Sequence, residues 1–347
     1  MAKITILGAG SWGTALAILL AQSDHAVCLW SVHPQGLRLL EETHRHKNLP
    51  QASLPETVQM EADLDRAMTG RDAVVFAVPS VYIQETAEKA AQAWRRVAGT
   101  CPLPILISAS KGIDRDRLLP MTDLIEEAFR PLGPVQTVAL SGPTHAEEVA
   151  LGLPASMVAA SLDQAAAREV QTLFMNDRMR VYTNSDPLGV ELCGALKNVM
   201  ALAAGMSDGL GLGDNAKAAL ITRGMAEIYR LGMAMGAKPD TFYGLAGMGD
   251  LIVTATSRHS RNNRAGHYIG AGASVEEALE RVGQVVEGVY AVRAAVILKE
   301  KYAVSMPIVD AVYAVLHHDK PVSEAVMELM RRKPKREVLQ PGSEESF

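Results

Sequence analysis

Short apolar runs rich in β-branched residues recur through the first half of the chain, at 4–7, 26–30, 73–77, 105–107, 135–140 and 156–160, each bounded by Gly, Pro or Ser. Strands with both faces buried read this way, as in a parallel sheet covered by helices. The stretches between them, at 14–22, 81–97, 119–129 and 164–176, carry apolar residues at helical spacing. This alternation predicts a doubly wound α/β domain.

Past Asp186-Pro187 the strand signals vanish. The segments 188–208, 216–235, 247–255, 275–281 and 288–301 are rich in Ala, Leu, Met and Gly. Their length and lack of β-branched alternation predict an all-α second domain. Pro187 marks the boundary, because proline pushes the preceding residue out of helical geometry and itself suits a first helical turn. The expected division is 1–187, 188–335 and a charged, Pro/Gly/Ser-containing tail at 336–347 that should be flexible.

Composition narrows the function classes. The 347 residues fit two domains, and 48% hydrophobic with 21% charged residues excludes long disorder. Lys+Arg 34 against Asp+Glu 39 leaves a net charge of −5, which provides no general basic field and argues against nucleic acid. Cys28, Cys101 and Cys193 are odd in number and widely separated, which suits reduced, mostly buried thiols and no metal site. The N-terminus reads as a strand without a secretion signal. The most apolar window, 188–206, is interrupted by Glu191, Lys197 and Asn198, unlike a membrane span. A cytoplasmic protein is expected, and the large apolar helices of the second domain suggest a homodimer.

Gly8-Ala9-Gly10-Ser11-Trp12-Gly13 lies between the first strand and the first helix. In such a turn Gly8 permits the sharp bend, Gly10 lets the backbone approach a pyrophosphate, and Gly13 allows close helix-to-strand packing. The first domain therefore reads as a Rossmann-type dinucleotide-binding domain. An NAD-selective site wants an acid near the end of the second strand, yet the chain there reads Trp30-Ser31-Val32-His33. Without that carboxylate nothing repels a 2′-phosphate, and His33 lends partial positive charge, so dual use of NAD(H) and NADP(H), leaning to NADP, is expected.

Four polar clusters interrupt apolar surroundings. They are Ser110-Lys111-Gly112, Leu196-Lys197-Asn198-Val199, Gly249-Asp250-Leu251-Ile252-Val253-Thr254 and His259-Ser260-Arg261-Asn262-Asn263-Arg264. The first follows the strand at 105–107, where open α/β sheets hold ligands. Spacing alone leaves Lys111 open between a solvated loop lysine and a site cation, and Arg261 and Arg264 open between an exposed basic turn and a phosphate grip. Lys197 is more constrained. Val190, Gly194, Ala201, Ala204 and Gly205 lie near its helical stripe, so its head group enters a cleft of small residues where an unpaired ammonium is costly. Asp250 is either its carboxylate partner or a helix cap after Gly249.

In order along the chain, the 8–13 turn, Ala109-Ser110-Lys111-Gly112, Leu140-Ser141-Gly142-Pro143-Thr144-His145-Ala146, Ala195-Leu196-Lys197-Asn198-Val199, Gly205-Met206-Ser207-Asp208-Gly209, Gly247-Met248-Gly249-Asp250-Leu251, Ser260-Arg261-Asn262 and Gly283-Gln284-Val285-Val286-Glu287-Gly288 resemble the motifs of bacterial NAD(P)-dependent glycerol-3-phosphate dehydrogenases. The likeness runs from about Lys3 to Met330. It implies interconversion of dihydroxyacetone phosphate and sn-glycerol 3-phosphate, supplying the phospholipid backbone. It also implies that Lys197 is proton donor and acceptor, with Lys111, Asn198, Asp250 and Thr254 around the reacting oxygen. Gly142, Thr144, Ser260, Arg261 and Asn262 would contact substrate, Arg261 and Asn262 at its phosphate. Ser11, Trp12, Lys111, Ala146, Arg261, Val285 and Glu287 would touch the cofactor. Lys111, Lys197, Arg261 and Arg264 would form the local positive cluster around a phosphorylated substrate.

The family usually has Arg or His where this chain has Val32. A β-hydroxyacid dehydrogenase of similar build, acting on a carboxylate substrate, is the alternative enzyme. A silent dinucleotide sensor would need only the glycine turn, and retention of Lys111, Lys197, Asp250 and Arg261 argues against it. The open ribose position generates the first prediction: both cofactors support turnover, and the kcat/KM ratio favours NADH by no more than about a hundredfold, nearly 3 kcal/mol.

Overall fold

A computed structural model describes residues 1–99, 101–334 and 337. The expected tail at 336–347 lies, apart from Glu337, outside the described residues. The first domain runs β1 (Lys3–Leu7), α1 (Ser11–Ala21), β2 (Ala26–Trp30), α2 (Pro34–Thr43), β3 (Gln59–Glu61), α3 (Leu64–Met68), β4 (Ala73–Phe76) and α4 (Ile83–Val97). It continues with β5 (Ile105–Ser108), α5 (Met121–Phe129), β6 (Thr137–Ser141), α6 (Ala146–Ala150), β7 (Ala155–Ala160), α7 (Gln164–Phe174) and β8 (Met179–Asn184). The strand order is β3-β2-β1-β4-β5-β6-β7-β8. Sequence order reverses between β1 and β4, so the carboxyl ends of β1, β4 and β5 open the crevice where such sheets take ligands.

The sheet is not parallel throughout, as the apolar runs suggest: β6 and β7 pair antiparallel, and β8 then runs parallel to β7. The connection between β6 and β7 has only α6, five residues long, which is too short to carry the chain back along the sheet. The chain therefore re-enters from the same end.

The second domain comprises α8 (Pro187–Gly209), α9 (Gly213–Met235), α10 (Pro239–Tyr243), α11 (Asp250–Thr256), α12 (Arg261–Gly270), α13 (Val275–Val282), α14 (Glu287–Lys301), α15 (Pro307–His317) and α16 (Val322–Met330). Among the described residues everything after β8 is helical or irregular. α8 is the core, buried at every position from Gly189 to Ser207. It is long and apolar enough to cross a membrane, but 94% of its most apolar window is buried inside the protein. Where α12 crosses it, glycines let backbone meet backbone. A Cβ on Gly205 would lie 2.0 Å from the Asn263 carbonyl oxygen, one on Gly266 2.1 Å from that of Leu202, and one on Gly270 2.3 Å from that of Met206.

Pro187 occupies the first turn of α8, and Asp186 caps it by accepting from the Gly189 N–H at 2.9 Å. Asp186 also accepts from the Lys238 N–H and the Thr241 hydroxyl, which fixes α10 against the start of α8. One turn further on, the buried Glu191 carboxylate accepts from both the N–H and the hydroxyl of Thr122, at the start of α5. This clamp joins the two domains. Burial pushes the Glu191 carboxyl up to about 7, against the pull of the Thr122 hydrogen bonds.

A carboxyl raised this way contributes fully below its ordinary value of 4.5 and loses that contribution as pH rises through 7. Glu191→Ala should therefore cost about 1–3 kcal/mol at pH 5, read as a lowered thermal midpoint. Glu191→Gln should flatten the decline in melting temperature between pH 5 and pH 8.

Candidate active site

The glycine turn of 8–13 has the geometry that a dinucleotide pyrophosphate requires. Gly8 has φ +120°, and a Cβ there would lie 2.8 Å from the Ala77 carbonyl oxygen. A Cβ on Gly13 would lie 1.8 Å from the Gly8 carbonyl oxygen, so the helix sits hard against the strand. At Gly10 a Cβ would meet nothing within 4 Å, and no side chain caps α1. The start of the helix therefore stays open to an anion.

Trp12 donates its indole N–H to the Ala109 carbonyl at 3.1 Å, tying α1 to the end of β5. Asn48 reaches the Ser11 hydroxyl at 3.4 Å, a contact the sequence motifs do not signal. Val32 and His33 are both exposed past the end of β2. Ala146 begins α6, and Val285 is half-buried between α13 and α14. Glu287, first residue of α14, accepts from the Ser80 N–H at 3.1 Å and its hydroxyl at 2.6 Å, a bond between the domains. Burial holds its carboxyl above the usual range, while Ser80 and Arg261 pull it back.

At the carboxyl end of β5 the chain turns through Ser110, whose hydroxyl donates to the Val78 carbonyl at 2.5 Å, and presents Lys111. Lys111 Nζ donates to Asp250 Oδ2 at 2.6 Å and to the Gly142 carbonyl at 3.0 Å. Lys197 Nζ donates to the other oxygen, Asp250 Oδ1, at 2.5 Å and to the Thr254 hydroxyl at 2.6 Å. Asp250 is thus no helix cap. It bridges a lysine from each domain, and it is delivered by a π-helical turn (Leu245–Gly249) that replaces the α-helix expected from residue 247.

Burial alone would raise the Asp250 carboxyl, but the two lysine charges overcome it and hold the group below the ordinary range. Burial pulls Lys197 down to about 7, with Asp250 opposing and Lys111 assisting. The centre therefore combines a fixed anion with an amine that titrates near neutrality, the arrangement a proton shuttle needs.

Of the remaining expected residues, Gly142 reaches this centre through its carbonyl, and the others are held by contacts of their own. Ser260 caps α12 through the Asn263 N–H at 3.2 Å, and Gly142 has φ +148°, which a side chain would strain. The Thr144 N–H folds back on the Gly142 carbonyl at 2.8 Å. Asn262 donates to Asn198 at 2.9 Å and accepts from the Gly288 N–H at 2.9 Å, so both amides brace α8, α12 and α14. Asn198 faces this brace and not the lysines.

Arg261 is exposed, and no hydrogen bond or ion pair engages it among the described residues. Arg264, expected in the same cluster, turns instead to the Val282 carbonyl at 3.4 Å. Cys28 and Cys193 are buried, whereas Cys101 is exposed.

His145 belongs to a motif but receives no role from the sequence. Its ring lies 5.8 Å from that of His259, and its buried Nε2 has no hydrogen-bond partner. Burial first, then the charges of Lys197 and Lys111, lower its pKa to about 4.

Family models described as the N-terminus and C-terminus of NAD-dependent glycerol-3-phosphate dehydrogenase match residues 3–167 and 186–327. A relative in Lactobacillus delbrueckii subsp. bulgaricus named glycerol-3-phosphate dehydrogenase [NAD(P)+] 2 is 53% identical, over 97% of this chain and 99% of its own length. A Bacillus subtilis protein named glycerol-3-phosphate dehydrogenase [NAD(P)+] is 47% identical, over 96% and 95%. The crystal structure of glycerol-3-phosphate dehydrogenase from Coxiella burnetii superposes with TM-score 0.89 at 36% identity, covering 95% of this chain and 99% of that one.

Proposed function

The chain belongs to the NAD-dependent glycerol-3-phosphate dehydrogenase family, and from that premise we propose that Lys197 moves the proton as dihydroxyacetone phosphate and sn-glycerol 3-phosphate interconvert. The enzyme is an NAD(P)-dependent oxidoreductase, and its product is the backbone of glycerophospholipids. The 8–13 turn, through Gly8, Gly10 and Gly13, would hold a dinucleotide whose nicotinamide would supply the hydride chemistry at the substrate's C2. All other steps fall to this chain's side chains.

In reduction the Lys197 ammonium donates to the oxygen that gains charge at C2; in oxidation its amine takes that proton. A pKa of about 7 serves both directions at neutral pH. Asp250 keeps that value from falling further, and Lys111 holds positive charge where the oxyanion develops. Arg261, free at the start of α12, grips the phosphate, so that remote binding energy orients the ketone. Ser11, Trp12, Ala146, Val285 and Glu287 line the cofactor's path. The reading is carried by one observation, the buried Asp250 shared between Lys111 and Lys197. Residues 1–187 hold the cofactor and the helices after Pro187 the substrate. The enzyme works in the cytoplasm as a homodimer, supported by apolar side chains exposed on the second domain, among them Tyr243, Met327 and Met330.

Lys197→Ala should lose more than about 10³ in kcat while still binding cofactor; retention of a tenth of the rate would assign the proton to another group. For the wild type, kcat/KM for reduction should fall above pH 7 and that for oxidation below it. Asp250→Asn, by removing the anion beside Lys197, should move both limbs to lower pH.

A further inference from the structure

We propose that Glu191 is a positioning residue for the reaction: it holds the turn that follows Lys111 against α8 and so sets where the Lys111 ammonium meets Asp250. The inference rests on the reaction proposed above, in which Lys111 holds positive charge where the oxyanion develops. Lys111 stands where the chain passes from one domain to the other. Just before it, the Ser110 hydroxyl donates to the Val78 carbonyl at 2.5 Å, which fastens that side to the first domain. Just after it, Ile113 is buried in the apolar core of the second domain, and Leu118 packs against the same core. The turn between them closes on itself. Ile113 bridges Pro120 antiparallel, and the Asp114 N–H donates to the Leu119 carbonyl at 2.9 Å.

Three contacts seat this turn on α8. The gap that Ile113, Leu118 and Pro120 line together with Leu188 and Leu192 measures about 10 Å³, room for one water molecule at most. Just beyond Pro120, the Glu191 carboxylate accepts from both the N–H and the hydroxyl of Thr122, and both residues are buried. One turn further along the same face of α8, a Cβ on Gly194 would lie 3.6 Å from Lys111 Cγ, so the lysine stem runs over the helix where it carries no side chain. Glu191 thus ties the far end of the turn to the helix that also carries Lys197. With Thr122 released, the turn keeps only its apolar seat, and Lys111, flanked by one anchor in each domain, loses its fixed place beside Asp250.

The test is a double-mutant cycle on kcat for reduction of dihydroxyacetone phosphate, in the full-length enzyme with saturating substrate and cofactor. With Lys111 in place, Glu191→Ala should lower kcat by about tenfold to a hundredfold, the size expected when a reacting group is misplaced by about 1 Å. Dinucleotide binding, followed by its fluorescence, should stay within about twofold, since the 8–13 turn is untouched. In the Lys111→Ala background the same substitution should lower kcat by less than about twofold, because no ammonium is left to misplace. Glu191→Gln, whose amide oxygen still accepts from Thr122, should restore most of the loss. Thr122→Val, which removes one donor at nearly constant volume, reads the same coupling if Glu191→Ala does not fold. Equal losses in the two backgrounds, or no loss in either, would overturn the inference and leave Glu191 a structural clamp. A wild-type rate in Lys111→Ala would overturn the role of Lys111 in the reaction as well, so the two readings fail separately.

Discussion

Asp250 holds one buried negative charge between ammonium groups from different domains, and the rest of the molecule is arranged to make that possible. Burial of the carboxylate alone would favour its protonated form, and burial of Lys197 alone would favour its neutral amine. Together they stabilise each other's charges, and removing the central anion would strand the buried Lys197 at a cost of about 3–5 kcal/mol. The requirement fixes geometry. α8 must carry Lys197 through the core, a π-helical turn must aim Asp250, and the loop after β5 must bring Lys111 across the divide.

The same cleft is bridged twice more, each time by a carboxylate against a hydroxyl and its own N–H. Glu191 holds Thr122 at the start of α5, and Glu287 holds Ser80 just before α4. Glu191 and Thr122 are both buried and belong to none of the residues proposed to touch substrate or cofactor. The other bridge rests on Glu287, which is proposed to touch the cofactor, so ligand binding and domain contact meet at one side chain.

Much of this was legible in the sequence, for physical reasons. Buried strands announce themselves by apolar runs, and the glycines of the 8–13 turn mark places where a Cβ would collide. Lys197 could be singled out because a charge inside an apolar helix demands a partner. Strand direction was not legible, since β7 reads the same either way and only the five-residue α6 reverses it. α2, with one narrow buried stripe, and β8, whose Arg180 and Tyr182 face solvent, lack the continuous apolar signal. The contacts of Arg264 and Asn198 were not legible for another reason: residue type shows that a side chain can bind an anion or an oxygen, but not that a neighbouring carbonyl or amide also engages it.

The glycine-to-backbone crossing of α8 and α12 works as a gauge. Lys197 and Asn198 lie on one helix and Arg261 and Asn262 on the other, and at the three glycines the two main chains approach with no side chain of the glycine between them. The distance between the two helix backbones is set there by main-chain atoms in close approach. A side chain at Gly205, Gly266 or Gly270 would have to push α12 away from α8, and with it the backbone of Arg261 and Asn262 away from that of Lys197 and Asn198.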